Sequence, residues 1–254
     1  MSKRKTGALR KQEAKTLKKP SEVTYYSNES KTIQFDSYRP KSRTIQLVPK
    51  TVNQENYILE LLNPETDIVI ASGPAGTGKT YLAMLSAIKA LKNGVVEKII
   101  LTRPAVGVDD EKHGFLPGDL NAKMEPWTRP LFDVLREYYT AREITHMLEE
   151  QIIEIAPLAF CRGRNFKYSY VILDEAQNCT PSQLKMIMTR IGDNTKIIIT
   201  GDVDQADRKQ AENGLLDLRN RLSKIFVPGL AYCQFDAKDI QRHQIIEHVL
   251  KLYE

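Results

Sequence analysis

Long apolar runs are missing from this chain. No stretch of its 254 residues approaches the roughly 18 consecutive apolar residues of a membrane-spanning helix, so no helical membrane span is expected. Cysteine is scarce. Cys161, Cys179 and Cys233 are odd in number and far apart, which argues against a disulfide framework or a zinc site and for a reducing compartment, the cytoplasm. The N-terminus is rich in lysine, but no apolar segment follows it, so it does not read as a secretory signal. No internal repeat is visible. What is there suits a globular chain with a real core: 41% hydrophobic and 27% charged residues.

The net charge of +5 is unevenly spread. Residues 1–20 hold Lys3, Arg4, Lys5, Arg10, Lys11, Lys15, Lys18 and Lys19 against Glu13 alone, a net +7. The rest of the chain therefore carries −2, and the basic character belongs to a tail. Such a run is expected to be a solvated, disordered arm. It could touch phosphate backbones by counterion release without folding first, or serve only solubility. Residues 1–50 read as this basic and polar arm, in which "KTIQF" and "RTIQLV" are weak strand signals. Residues 51–254 read as a single domain.

From Thr51 onward, strands and helices alternate. Residues 67–71, 98–102, 151–160, 168–174, 196–202 and 230–235 are apolar enough for strands. Helices are expected over 79–92, 126–140, 180–192, 212–223 and 239–252. Thr180, Pro181 and Gln183 form a capping-box start, with proline at the first helical position. This alternation predicts an α/β fold, a parallel sheet sandwiched by helices.

The most informative stretch is "ASGPAGTGKTYLAM", which follows the first strand and opens the first long helix. Gly73, Gly78, Lys79 and Thr80 satisfy the pattern G-x-x-x-x-G-K-[ST], with Pro74, Ala75, Gly76 and Thr77 between them. Glycines let such a loop turn its N–H groups onto phosphate oxygens. Lys79 would reach the β- and γ-phosphates, and the Thr80 hydroxyl would ligate Mg²⁺. The helix N-terminus adds a partial positive charge. Binding of a nucleoside triphosphate, ATP with Mg²⁺, follows from this context.

Hydrolysis needs more than a phosphate cradle. The string "VILDEAQN" places two acids at the end of an apolar strand. Asp174 is the expected partner of Thr80 in the metal shell, since an acid at such a strand end lies beside the loop. Glu175 is then the candidate to orient or deprotonate the attacking water.

The Asp-Glu-Ala-Gln string and "TGDVDQ" at 200–205 resemble the superfamily-one helicase ATPases. That resemblance implies a γ-phosphate sensor at Gln205, with Thr200 and Asp202 nearby. It also implies an adenine-reading role for Gln54 in "TVNQENYILELL". The strings "GPAGTGKTYLA", "TRPAV", "GFLPGDL", "IAPLAF" with "RGR", and "VILDEAQN" resemble the PhoH-like proteins, phosphate-starvation-inducible predicted ATPases, from about Thr51 to the C-terminus. Departures occur at Cys161, Asn165, Gln241 and Gln244. Longer members place a nuclease-type domain ahead of the ATPase; none precedes it in this sequence, and the compact form is one found in bacteriophages. The resemblance implies a P-loop domain of RecA-like fold and a helicase-like motor on RNA or another nucleic acid. By likeness to related ring ATPases it also implies a homo-oligomeric ring of six, in which Arg242 would serve a neighbour's site. Arg103, Arg162 and Arg164 are left as phosphate contacts, nucleic-acid contacts or plain loop charges. A regulator or small-molecule kinase with no nucleic acid is the competing class, but a kinase would have little use for Glu175.

Overall fold

The computed structural model describes residues 44–104, 120–205 and 213–241, with backbone alone over 120–128. Residues 1–43 of the basic and polar arm lie outside these residues, as do Arg242 and the rest of the last expected helix.

The element order is α1 (Val52–Leu62), β1 (Ile68–Ser72), α2 (Lys79–Lys92), β2 (Lys98–Arg103), α3 (Leu120–Tyr138), α4 (Ala141–Glu149), β3 (Ile153–Pro157), β4 (Ser169–Leu173), α5 (Pro181–Met188), β5 (Lys196–Gly201), α6 (Gly214–Leu222) and β6 (Leu230–Gln234). The six strands form one sheet in the order β3-β2-β4-β5-β1-β6, and every pairing is parallel. The fold is therefore the expected α/β parallel sheet between helices.

The central strands read as unbroken apolar runs because both faces are covered. Successive side chains point to opposite faces. Val69, Ala71, Ile99, Leu101, Tyr170, Ile172 and Ile198 pack with Tyr57 of α1, Leu82 and Leu85 of α2, Leu135 of α3 and Ile144 of α4. Ile70, Ile100, Val171, Leu173, Ile197 and Ile199 face Leu184 and Ile187 of α5 and Leu215 and Leu218 of α6.

Several boundaries differ from the sequence expectation. The third helix begins at Leu120 and not at Pro126. Pro126 and Pro130 lie inside it, each lacking the N–H for one helical bond, so neither marks its start. A separate helix, α4, follows it, opened by a capping box between Thr140 and Glu143. The strand expected over 151–160 stops at Pro157, where the ladder loses a donor. Leu158–Cys161 is a 3₁₀ turn that buries Leu158 and Cys161, three residues apart. α5 has the expected cap of Thr180, Pro181 and Gln183 but ends at Met188, short of Gly192. "RTIQLV" forms no strand over its described residues, although Ile45 is buried in the core. The helix expected from Asp239 does not start there. Ala237–Asp239 is a 3₁₀ turn capped by Asp236.

Candidate functional site at the ends of the parallel strands

The loop between β1 and α2 is built as the motif requires. Gly76 and Gly78 both have φ of 84°, and Gly73 has φ of 146°. A Cβ on Gly73 would lie 2.4 Å from the Phe235 carbonyl oxygen, so the segment after β6 closes on the loop only because residue 73 is glycine. The same segment continues along the loop, where the Gln241 N–H donates to the Gly76 carbonyl at 2.9 Å. Asp239 in this strap accepts from Asn53 Nδ2 at 2.8 Å, which ties it to the start of α1. Burial alone would raise the Asp239 carboxyl. Hydrogen bonds from Asn53, Thr51 and the Asp236 N–H outweigh that and hold it low.

Lys79 begins α2 and is 8% exposed. Its ammonium donates to the Gly73 and Pro74 carbonyls, both at 2.7 Å, and to Thr77 Oγ1 at 3.2 Å. Burial lowers it below the ordinary lysine value, against the opposing pull of the Asp202, Asp174 and Glu175 carboxylates. Gln54 lies against the loop from α1. Its Nε2 donates to the Thr77 carbonyl at 3.0 Å, and its Oε1 accepts from the Lys50 N–H at 2.8 Å. This amide ties the phosphate loop to the segment ahead of α1. Tyr57, one turn on, donates to the Lys79 carbonyl at 3.3 Å and meets the Phe235 ring edge-on, centroids 5.6 Å apart.

The metal half of the site comes from α2 and the ends of three strands. β4 is not the immediate neighbour of β1, because β5 lies between them. Asp174 nevertheless lies beside the loop, within reach of Thr80. The intervening strand contributes a side chain of its own. Thr80 Oγ1 donates to Asp174 Oδ1 at 2.8 Å, and Thr200 Oγ1 of β5 donates to the same oxygen at 2.6 Å. Arg103 holds the other oxygen, with Nη2 at 2.5 Å and Nε at 3.2 Å from Oδ2. Asp174 is 5% exposed, so these partners replace the water it gives up.

Thr80 and Asp174 offer hard oxygens to one point, a set that fits Mg²⁺. Among the described residues there is no group of three or more His, Cys, Asp or Glu able to hold a metal alone. A magnesium ion here would complete its shell with phosphate oxygens and water, as it usually does.

Glu175 follows directly and has a left-handed backbone, φ 58°. Its Oε2 accepts from Gln177 Nε2 at 2.6 Å, its Oε1 lies 3.8 Å from Arg103 Nη2, and its side chain is 47% exposed. Asp202 is buried and Gln205 is exposed on the turn after β5, where the Gln205 N–H donates to the Asp202 carbonyl.

The structure thus brings Lys79, Thr80, Asp174, Glu175, Thr200 and Asp202 to one end of the sheet. Arg103 joins them. Arg164 does not, being paired with Glu154 and stacked 5.1 Å over the Phe166 ring. Arg162 is exposed. Gln177 closes the Asp-Glu-Ala-Gln string but has no role of its own in the sequence, and Phe235 belongs to no phosphate-binding pattern.

Comparison with known proteins agrees with this geometry. The family model described as "PhoH-like protein" matches residues 46–254. The PhoH-like protein of Bacillus subtilis (strain 168) is 44% identical over 94% of this chain and 72% of its own length. That of Synechocystis sp. is 43% identical over 84% of this chain and 64% of its own. Protein PhoH of Escherichia coli (strain K12) is 39% identical over 73% of this chain and 52% of its own. A solved Sulfolobus solfataricus SWI2/SNF2 ATPase core in complex with dsDNA aligns with 64% of this chain and 33% of that one. Its identity is 15% and its TM-score 0.40, a likeness too slight to build on. With a phosphate loop, a strand-end acid pair and a family match over nearly the whole described domain, the chain carries a P-loop nucleotide site and belongs to the PhoH-like protein family.

Proposed function

We propose that the chain hydrolyses ATP with Mg²⁺ and couples hydrolysis to movement on single-stranded RNA or another nucleic acid, working as a ring of identical subunits. The observation that carries the hydrolytic half is the meeting of Thr80, Thr200 and Asp174 on one carboxylate oxygen, one residue before Glu175. Bound Mg²⁺ would supply charge neutralisation on the β- and γ-phosphate oxygens. Thr80 and Asp174 hold its place. Lys79 turns from the Gly73 and Pro74 carbonyls to the phosphates. Glu175 accepts the proton of the attacking water, and Gln205 senses the γ-phosphate. Gln54 reads adenine through the second N–H of its amide while the first braces the loop.

The nucleic-acid half is supported by the +7 arm of residues 1–20 and by resemblance to helicase-type ATPases. The ring is supported by likeness to related ring ATPases, in which a neighbouring subunit supplies an arginine. Arg242 is the candidate, next to the strap residue Gln241 that touches the phosphate loop.

The test is ATP turnover by the full chain with Mg²⁺, with and without single-stranded RNA. Turnover is expected to rise with RNA. Glu175→Gln should keep nucleotide affinity and lose about 10²- to 10⁴-fold in rate, whereas Lys79→Ala should weaken binding itself. Full turnover by Glu175→Gln would overturn the assignment. Turnover indifferent to RNA would favour the class without a nucleic acid.

A further inference from the structure

The Glu175 carboxylate is held by its surroundings. Its left-handed backbone costs a non-glycine residue about 1 kcal/mol or more, so something must keep it there. Gln177 is 3% exposed and spans two segments that are distant in sequence. Its Nε2 donates to Glu175 Oε2 at 2.6 Å. Its Oε1 accepts the Asp202 N–H at 3.1 Å. A carboxamide has a donor at one end and an acceptor at the other, and here each end serves a different strand's terminus.

The approach is close enough to depend on a glycine. A Cβ on Gly201 would lie 2.7 Å from Gln177 Oε1 and 3.1 Å from its backbone nitrogen.

We propose that Gln177 is a positioning residue that ties the Glu175 carboxylate to the turn after β5 and so fixes the group that orients water. The proposal rests on the hydrolytic role of Glu175 given above. Glutamate at 177 keeps the size and the acceptor for Asp202 but loses the donor for Glu175. Alanine at 201 opens the same link from the β5 side.

The test uses the full chain with Mg²⁺ and ATP, measuring kcat, KM and fluorescent-ADP affinity for the wild type, Gln177→Glu, Gly201→Ala and the double variant. Thermal unfolding identifies any variant that fails to fold. Misplacing a catalytic group typically costs about 10²-fold. Gln177→Glu should lose that in kcat, with KM and ADP affinity within about twofold. The double variant should be no slower than the worse single one, because both break one link. A Gln177→Glu enzyme with wild-type kcat, or losses that multiply in the double variant, would overturn the proposal. Glu175→Gln run in parallel separates the two levels. Full turnover there removes the role of Glu175 itself, and with it this proposal. Loss there with Gln177→Glu unaffected removes only the link.

Discussion

Asp174 gathers a hydroxyl from α2, a hydroxyl from β5 and a guanidinium from β2 around a single buried carboxylate. Breaking a buried pair by removing one partner leaves the other charge uncompensated, at about 3–5 kcal/mol in the strongest cases. Arg103→Gln should therefore lower the urea midpoint, by less than that limit because the arginine keeps some exposure to water. The loss should shrink when Mg²⁺ and ADP are present, since the metal restores a cation beside Asp174. An equal loss with and without Mg²⁺ and ADP would count against a shared charge site. This pairing was not legible in the sequence, whereas Lys79 and Thr80 were. A phosphate loop is a contiguous string whose chemistry is local. Arg103 meets Asp174 only because β2 and β4 are neighbours in the register Thr102 opposite Leu173, which places the next residue of each strand side by side. Nothing in "TRPAV" states that register. The resemblance offers Gln54 as an adenine-reading candidate, but its bracing of the loop needed the packing of α1 to be known.

Among the elements, β5 shows how a strand can serve at both ends. Thr200 near its C-terminal end holds Asp174. At its start, Lys196 donates to the Glu60 and Asn63 carbonyls at 3.2 and 2.7 Å, satisfying carbonyls that the end of α1 leaves open. Burial lowers the Lys196 ammonium to about 8, although Asp67 and Glu60 pull it upward. The unfolded chain keeps this proton up to the ordinary value of 10.5. Between those values the unfolded state binds more protons, so the contribution of Lys196 to stability grows as pH rises through about 8. Comparing Lys196→Met with the wild type cancels the buried tyrosines and cysteines, which titrate in both. The difference in urea midpoint should move in favour of the wild type from pH 7 to pH 9, and a constant difference would contradict the shift. Strand cores were legible at this scale because doubly covered strands are unbroken apolar runs. Ends were less so. Pro126 sits inside a helix, and Pro157 ends a strand that hydrophobicity alone would extend.

For the whole molecule, one sheet carries one phosphate loop and one acid pair, and the proposed ring follows from sharing sites between copies. Head-to-tail contacts that close a ring give each subunit one face towards its neighbour's nucleotide, which a two-fold dimer does not. Glu175→Gln and Arg242→Ala subunits should each be nearly inactive alone. Mixed, they would form some joints with an intact Glu175 on one side and an intact Arg242 on the other. Partial recovery of turnover on mixing is the expected outcome, and a monomer with full activity in the presence of ATP and RNA would end the ring proposal. The placement of β5 has a consequence of another kind. It is paired on both edges and buried along nearly its whole length, so the amides of Ile198, Ile199 and Thr200 can meet deuterium only when the domain opens globally. Their exchange rates would thus report the stability of the entire domain. Because Thr200 stands on that strand, the oxygen that would face magnesium is moored to the last part of the protein to breathe.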